Sequence, residues 1–98
     1  MKGSFAIQIL PERVEDKEVI RIVDKVIDYI KSTGLNYYVG PFETTIEGDD
    51  INELFEIIKN SFLIASKENP NGISSYIKIY FRENREVLSI EEKVSKHH

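Results

Sequence analysis

Cysteine and tryptophan are missing from this chain, and its two histidines come last, at positions 97 and 98. Without cysteine there is no disulfide framework, no thiolate metal site and no cysteine nucleophile. Without an internal histidine, neither a Ser-His pair nor a histidine metal cluster can be built. The His97-His98 pair resembles a purification-tag remnant and is assigned no chemistry. No apolar run approaches membrane-spanning length, and the one after Met1 is too short for a signal peptide, so a cytoplasmic protein is expected. Excess positive charge is absent too. The net charge is -4, which argues against binding a phosphate backbone.

Glycine is sparse, and Gly40 and Gly48 belong to a hairpin rather than to a phosphate loop before a helix. An acylphosphatase-like anion cradle would need glycine after the first strand, and Pro11-Glu12-Arg13-Val14 has none. The paired carboxylates Asp49-Asp50 and Glu91-Glu92 stand at helix starts and read as capping residues. Catalysis is therefore not expected, and neither a cofactor nor a metal is implied.

What remains is a chain of 98 residues, 41% of them apolar, enough for one small domain over residues 1–98 with a single modest core. Ser4 to Leu10 reads as a strand with both faces largely apolar, closed by Pro11. Asp16 can cap a helix running to about Ser32, whose apolar arc is wider than one core needs, and Gly34 ends it. Asn36 to Val39, the turn at Gly40-Pro41, and Glu43 to Glu47 form a hairpin. Asp50-Ile51-Asn52-Glu53 has capping-box spacing before a second helix, which Asn69-Pro70-Asn71-Gly72 stops. On that helix Ile51, Leu54, Phe55, Ile58, Phe62 and Ala65 form the core stripe, while Ile57, Leu63 and Ile64 fall off it. Ile73 to Arg82 alternates clearly as a strand. After a turn at Glu83-Asn84-Arg85, Ser89-Ile90-Glu91-Glu92 opens a short helix.

The order predicts an α+β fold, a ferredoxin-like βαββαβ sandwich. Its antiparallel four-stranded sheet carries two helices on one face, with a short C-terminal helix added. The other sheet face is open and holds Gln8, Thr45, Glu47, Tyr76, Lys78 and Tyr80, with Ala6 and Leu10. Two aromatics and a lysine on an open sheet also suit RNA stacking, but the acidic chain and the missing Gly-flanked aromatic motif speak against nucleic acid. A face so rich in tyrosine is expected to be covered by another copy of the chain. A carboxylate at Glu47 must then find a cation or several donors. Lys78 is one candidate partner; a positively charged ligand or an amino-heterocycle is the other.

Val39 to Gly48, with Thr44-Thr45-Ile46-Glu47-Gly48 as its specific part, resembles the thiamine-binding, YkoF-like family of small ferredoxin-like proteins. Ser89 to Lys96 and the opening strand ending on Pro11 fit the same family. The resemblance implies a non-catalytic binding protein, assembled as a homodimer or homotetramer. It also implies that thiamine or a hydroxymethylpyrimidine-like compound is held at a subunit interface. Its motif carries to Thr44, Thr45 and Glu47, of which Thr45 and Glu47 share the open face. From the face assignment, Tyr76 or Tyr80 would meet the thiazolium ring, with Gln8 and Tyr38 as further contacts. The alternative is an oligomeric regulatory or scaffold domain that binds a protein partner through the second helix, by Ile57 and Ile64.

Overall fold

A computed structural model describes residues 2–84, 88–95 and 97. Of the positions named above, Met1, Arg85, Lys96 and His98 lie outside the described residues. The chain runs β1 (Gly3–Pro11), α1 (Asp16–Ser32), β2 (Tyr37–Val39), β3 (Thr44–Gly48), α2 (Ile51–Glu68), β4 (Ile73–Phe81) and α3 (Ile90–Val94). The strands form one antiparallel sheet in the order β2-β3-β1-β4. This is the ferredoxin-like arrangement that the element order predicts.

β1 is flanked on both edges, and its register matches Phe5 with Ile46 on one side and Ile79 on the other. Phe5, Ile7, Ile9 and Ile46 point from the sheet into the core, where Ile22, Val26 and Ile30 of α1 meet Leu54, Ile57 and Ala65 of α2. The helix ends follow local chemistry. Asp50 Oδ1 accepts from the Asn52 and Glu53 amides at 2.9 and 3.4 Å, satisfying donors that the first turn of α2 leaves unpaired. At α1 the cap position is Glu15 and Asp16 is already helical. Gly34 takes the left-handed conformation at φ 77° that closes α1.

Asn69 does more than stop α2. It is buried, and its side-chain amide donates to the Glu12 and Gly72 carbonyls, both at 2.9 Å. That ties the α2–β4 turn to the loop after β1. On the outer surface, Glu68 Oε1 accepts from Arg21 at 2.6 Å and Lys25 at 3.0 Å, bracing α1 against α2.

The core stripe of α2 differs from the sequence expectation. Ile57 is 3% exposed and belongs to the core, whereas Phe55 is 54% exposed. The buried line runs through Leu54, Ile57, Ser61 and Ala65. Ser61 and Ala65 are small, so this side of the helix can approach the sheet closely, and bulky Phe55 and Leu63 turn outward. The partner surface drawn through Ile57 and Ile64 therefore does not exist as drawn: Ile57 is sealed inside and Ile64 is half-buried against the core.

Candidate functional site

The sheet face away from α1 and α2 is built in rows, because residues paired across antiparallel strands project to the same side. Glu47, Ser4 and Tyr80 make the first row. Tyr38, Thr45, Ala6 and Lys78 make the second, and Gln8 beside Tyr76 belongs to the third. Six of the seven candidate residues, Thr45, Glu47, Gln8, Tyr38, Tyr76 and Tyr80, thus share this face. Thr44 does not. It alternates to the helix side, is buried, and lines a separate groove of 230 Å³ between α1 and the β2–β3 hairpin.

Over the first two rows lies a hollow of 300 Å³. Ser4, Ala6 and Thr45 form its floor, and Glu43, Lys78, Tyr80 and Lys93 stand around it. Glu47, Gln8, Tyr38 and Tyr76 are not among the residues lining it. Tyr76 sits two rows along from Glu47 and is 69% exposed.

Glu47 is 3% exposed, and its burial is intramolecular. Oε1 accepts from Asn36 Nδ2 and Oε2 from the Ile90 backbone amide, both at 2.7 Å. The Glu47 amide in turn donates to the Asn36 carbonyl at 3.1 Å. The anion is held by short bonds from neutral donors, one of them at the first residue of α3, where helical amides are otherwise unpaired. Ser89 and Glu92 complete a capping box around the same turn. Ile90 is buried, and Lys93 Nζ donates to Ser4 Oγ at 3.3 Å, so α3 closes the Glu47 end of the face.

The salt bridge between Lys78 and Glu47, one of the two expectations for this carboxylate, is not formed. Lys78 Nζ pairs instead with Glu43 Oε1 at 3.0 Å. The register explains it: Lys78 lies opposite Ala6 and Thr45, a row away from Glu47, with α3 and Asn36 already occupying the buried carboxylate. Tyr80 is also engaged. The Arg82 guanidinium lies 5.2 Å from its ring centroid and donates to its hydroxyl.

Four contributors were missed by sequence reasoning: Asn36, Ser4, Lys93 and the wall position of Glu43. The capping box at Ser89 announced a helix start, but nothing local to it says that the helix docks on a carboxylate of β3. For Asn36 the only signal is a polar side chain just before a strand. The described residues contain no cluster of His, Asp and Glu able to hold a metal ion. No described helix is long and apolar enough to cross a membrane.

A UPF0045 protein of Clostridium perfringens is 44% identical over 94 residues, covering 96% of this chain and 95% of its own. A solved protein from Streptococcus pneumoniae is 36% identical with a TM-score of 0.81, over 97% of this chain and 99% of its own. A Thermotoga maritima protein, proposed to act in thiamine biosynthesis or salvage, is 30% identical with a TM-score of 0.83 and full coverage of both chains. The signature of the thiamine-binding proteins matches residues 5–98. By that match, which takes in all but the first turn-in of β1 and includes both Glu47 and the helix that buries it, this chain belongs to the thiamine-binding protein family.

Proposed function

We propose that the protein binds thiamine or a hydroxymethylpyrimidine-like compound in the hollow of the open sheet face, without transforming it. The observation that carries this reading is the hollow itself. It has a floor of small and hydroxyl side chains, an aromatic wall at Tyr80, and carboxylate and ammonium groups at Glu43, Lys78 and Lys93. Its volume of 300 Å³ is at the lower end for small-molecule sites, roughly 300–1,000 Å³.

An aminopyrimidine presents an amine donor and ring-nitrogen acceptors on one edge. Thr45 can accept from or donate to that edge, and Glu43 can accept from the amine. A thiazolium cation would lie against Tyr80 in the place that Arg82 now holds, or against Tyr76 farther along. Glu47 would act from beneath, each oxygen keeping a lone pair beyond the bond it already accepts. Tyr38 and Gln8 flank the hollow from β2 and from the third row. The face is open on its outer side, so a second copy, in a homodimer or homotetramer, would complete the enclosure.

Titration calorimetry with thiamine is the test, on the wild type and on Glu47→Gln and Thr45→Val. The expected result is heat of binding for the wild type, and affinity lowered by about tenfold or more in each variant, the loss of one good polar contact. No heat for the wild type at millimolar thiamine or hydroxymethylpyrimidine defeats the proposal. Steady consumption of either compound would defeat its non-catalytic part.

A further inference from the structure

We infer that the hollow is built for a phosphorylated ligand, whose phosphate monoester is held between Lys93 and Arg82 over the hydroxyls of Ser4 and Tyr80. This rests on the binding reading above, takes the hollow as the site, and adds the class of compound that it selects.

Charge is the first observation. The chain as a whole carries -4, yet the surroundings of the hollow are positive. Lys78 and Lys93 stand around it with Glu43, and Arg82 lies against the ring of Tyr80. Three cations thus gather here, against Glu43 at the edge and Glu47 beneath. The carboxylates are already matched. Glu43 pairs with Lys78, Glu47 accepts from Asn36 and the Ile90 amide, and Glu92 accepts from the Ser89 amide. Lys93 and Arg82 have no carboxylate partner among the described residues.

The second observation is a set of unused donors. Lys93 Nζ donates to Ser4 Oγ at 3.3 Å, which leaves two of its three N–H groups unspent. Ser4 is 6% exposed. Its hydroxyl accepts the Lys93 bond, while its own proton has no acceptor among the described residues. Tyr80 repeats the pattern: its oxygen accepts from Arg82 Nε and its proton is not spent. Ser4 and Tyr80 are direct partners across β1 and β4, so the two cation–hydroxyl pairs stand side by side in the first row.

A buried hydroxyl with a proton to give, under an ammonium without a counter-ion, is a donor set for an anion. A phosphate monoester brings about -1.5 to -2 charges and three acceptor oxygens, two of which a guanidinium can meet in parallel. Thiamine itself is a cation and offers this corner no anionic group. Once phosphorylated, the same compound can lay its thiazolium on Tyr80 and draw the displaced Arg82 onto the phosphate. Thr45 and Glu43 keep the aminopyrimidine edge.

Titration calorimetry on the full chain tests this with thiamine, thiamine monophosphate and inorganic phosphate. The wild type is compared with Lys93→Gln, Arg82→Gln and Lys59→Gln, folding being verified by circular dichroism. Lys59 is on α2, across the sheet from the hollow, and controls for the general charge of the protein. The wild type is expected to bind the monophosphate at least about tenfold more tightly than thiamine or inorganic phosphate. That preference should shrink about tenfold in Lys93→Gln and in Arg82→Gln, and stand in Lys59→Gln. Thiamine bound as tightly as its monophosphate overturns the inference and leaves the binding reading intact, whereas binding of neither removes both. This comparison needs no variant to fold. A preference that survives in both Lys93→Gln and Arg82→Gln, or falls equally in Lys59→Gln, also overturns it. So does inorganic phosphate bound as tightly as the monophosphate, which would mark a simple anion site.

Discussion

Two carboxylates, Glu43 just before β3 and Glu47 within it, stand on the same sheet face and lead opposite lives. Glu43 stands at the mouth of the hairpin, half in solvent, paired with an exposed lysine. Glu47 lies at the other end of the strand, under α3, held by an amide side chain and a backbone N–H. The residue type is the same, and only four positions separate the two. What separates them is a helix of five residues that comes from the far end of the chain and covers one end of the face only. A buried carboxylate is stable when donors converge on it, and a surface ion pair adds little. The covered carboxylate is thus a structural anchor, and the exposed pair at Glu43 and Lys78 is left at the edge of the hollow.

The largest effect expected from that contrast is the stability of Glu47→Ala against Glu43→Ala. Removing Glu47 leaves the Ile90 amide and the Asn36 side chain without their acceptor, at a cost of about 2–4 kcal/mol. Removing Glu43 loses an exposed pair, at under about 1 kcal/mol. Urea midpoints for the two variants measure the difference directly. Equal shifts would mean that α3 does not depend on Glu47 and that the two ends are alike. Glu47→Gln should lie between them, because its carbonyl can still accept from Ile90 while Asn36 turns its amide to match.

Most of the fold was legible in the chain because it rests on local periodicity: the alternation in β4, the arc of α1, and the caps at Asp50 and Gly34 are properties of neighbouring residues. The face carrying Thr45, Glu47, Tyr76 and Tyr80 was legible for the same reason. What the sequence did not disclose depends on meetings between distant segments. Asn36 reaches Glu47 across the turn before β2, and Ile90 from 43 residues further on. Lys78 selects Glu43 because register, not charge, determines which carboxylate is near. The apolar spacing on α2 places Phe55 and Ile58 on the stripe, whereas the buried line runs through Ile57 and polar Ser61, which an apolar pattern does not count.

The next effect is on ligand rather than on fold. Tyr80 lines the hollow, while Tyr76 lies beyond it on the bare end. Tyr80→Ala is expected to weaken thiamine binding by about tenfold through lost aromatic contact, and Tyr76→Ala by less than about threefold. Calorimetry on both variants decides which end of the face receives the thiazolium, and a larger loss at Tyr76 would move the site outward. Ser89→Ala follows in size. It removes the acceptor for the Glu92 amide at 3.1 Å, costing about 1 kcal/mol. Hydrogen exchange should locate that loss in α3 and at the Glu47 end, leaving the β1–β4 ladder protected.

The smallest expected effect probes the bare end alone. Lys78→Met removes the ammonium that Glu43 pairs with but keeps the length of the stem along the sheet. Both partners are substantially exposed, so the folded state should change by less than about 0.5 kcal/mol, and by still less in high salt. The ligand response is the informative part. With Lys78 gone, the Glu43 carboxylate is left beside the hollow without its counter-charge, and a cationic ligand should bind more tightly as ionic strength falls. Thiamine titrations at low and high salt, on the wild type and on Lys78→Met, read this directly. A steeper salt dependence in the variant would make the Glu43–Lys78 pair a competitor for the guest. An unchanged one would place the cation away from Glu43, toward the covered carboxylate of Glu47.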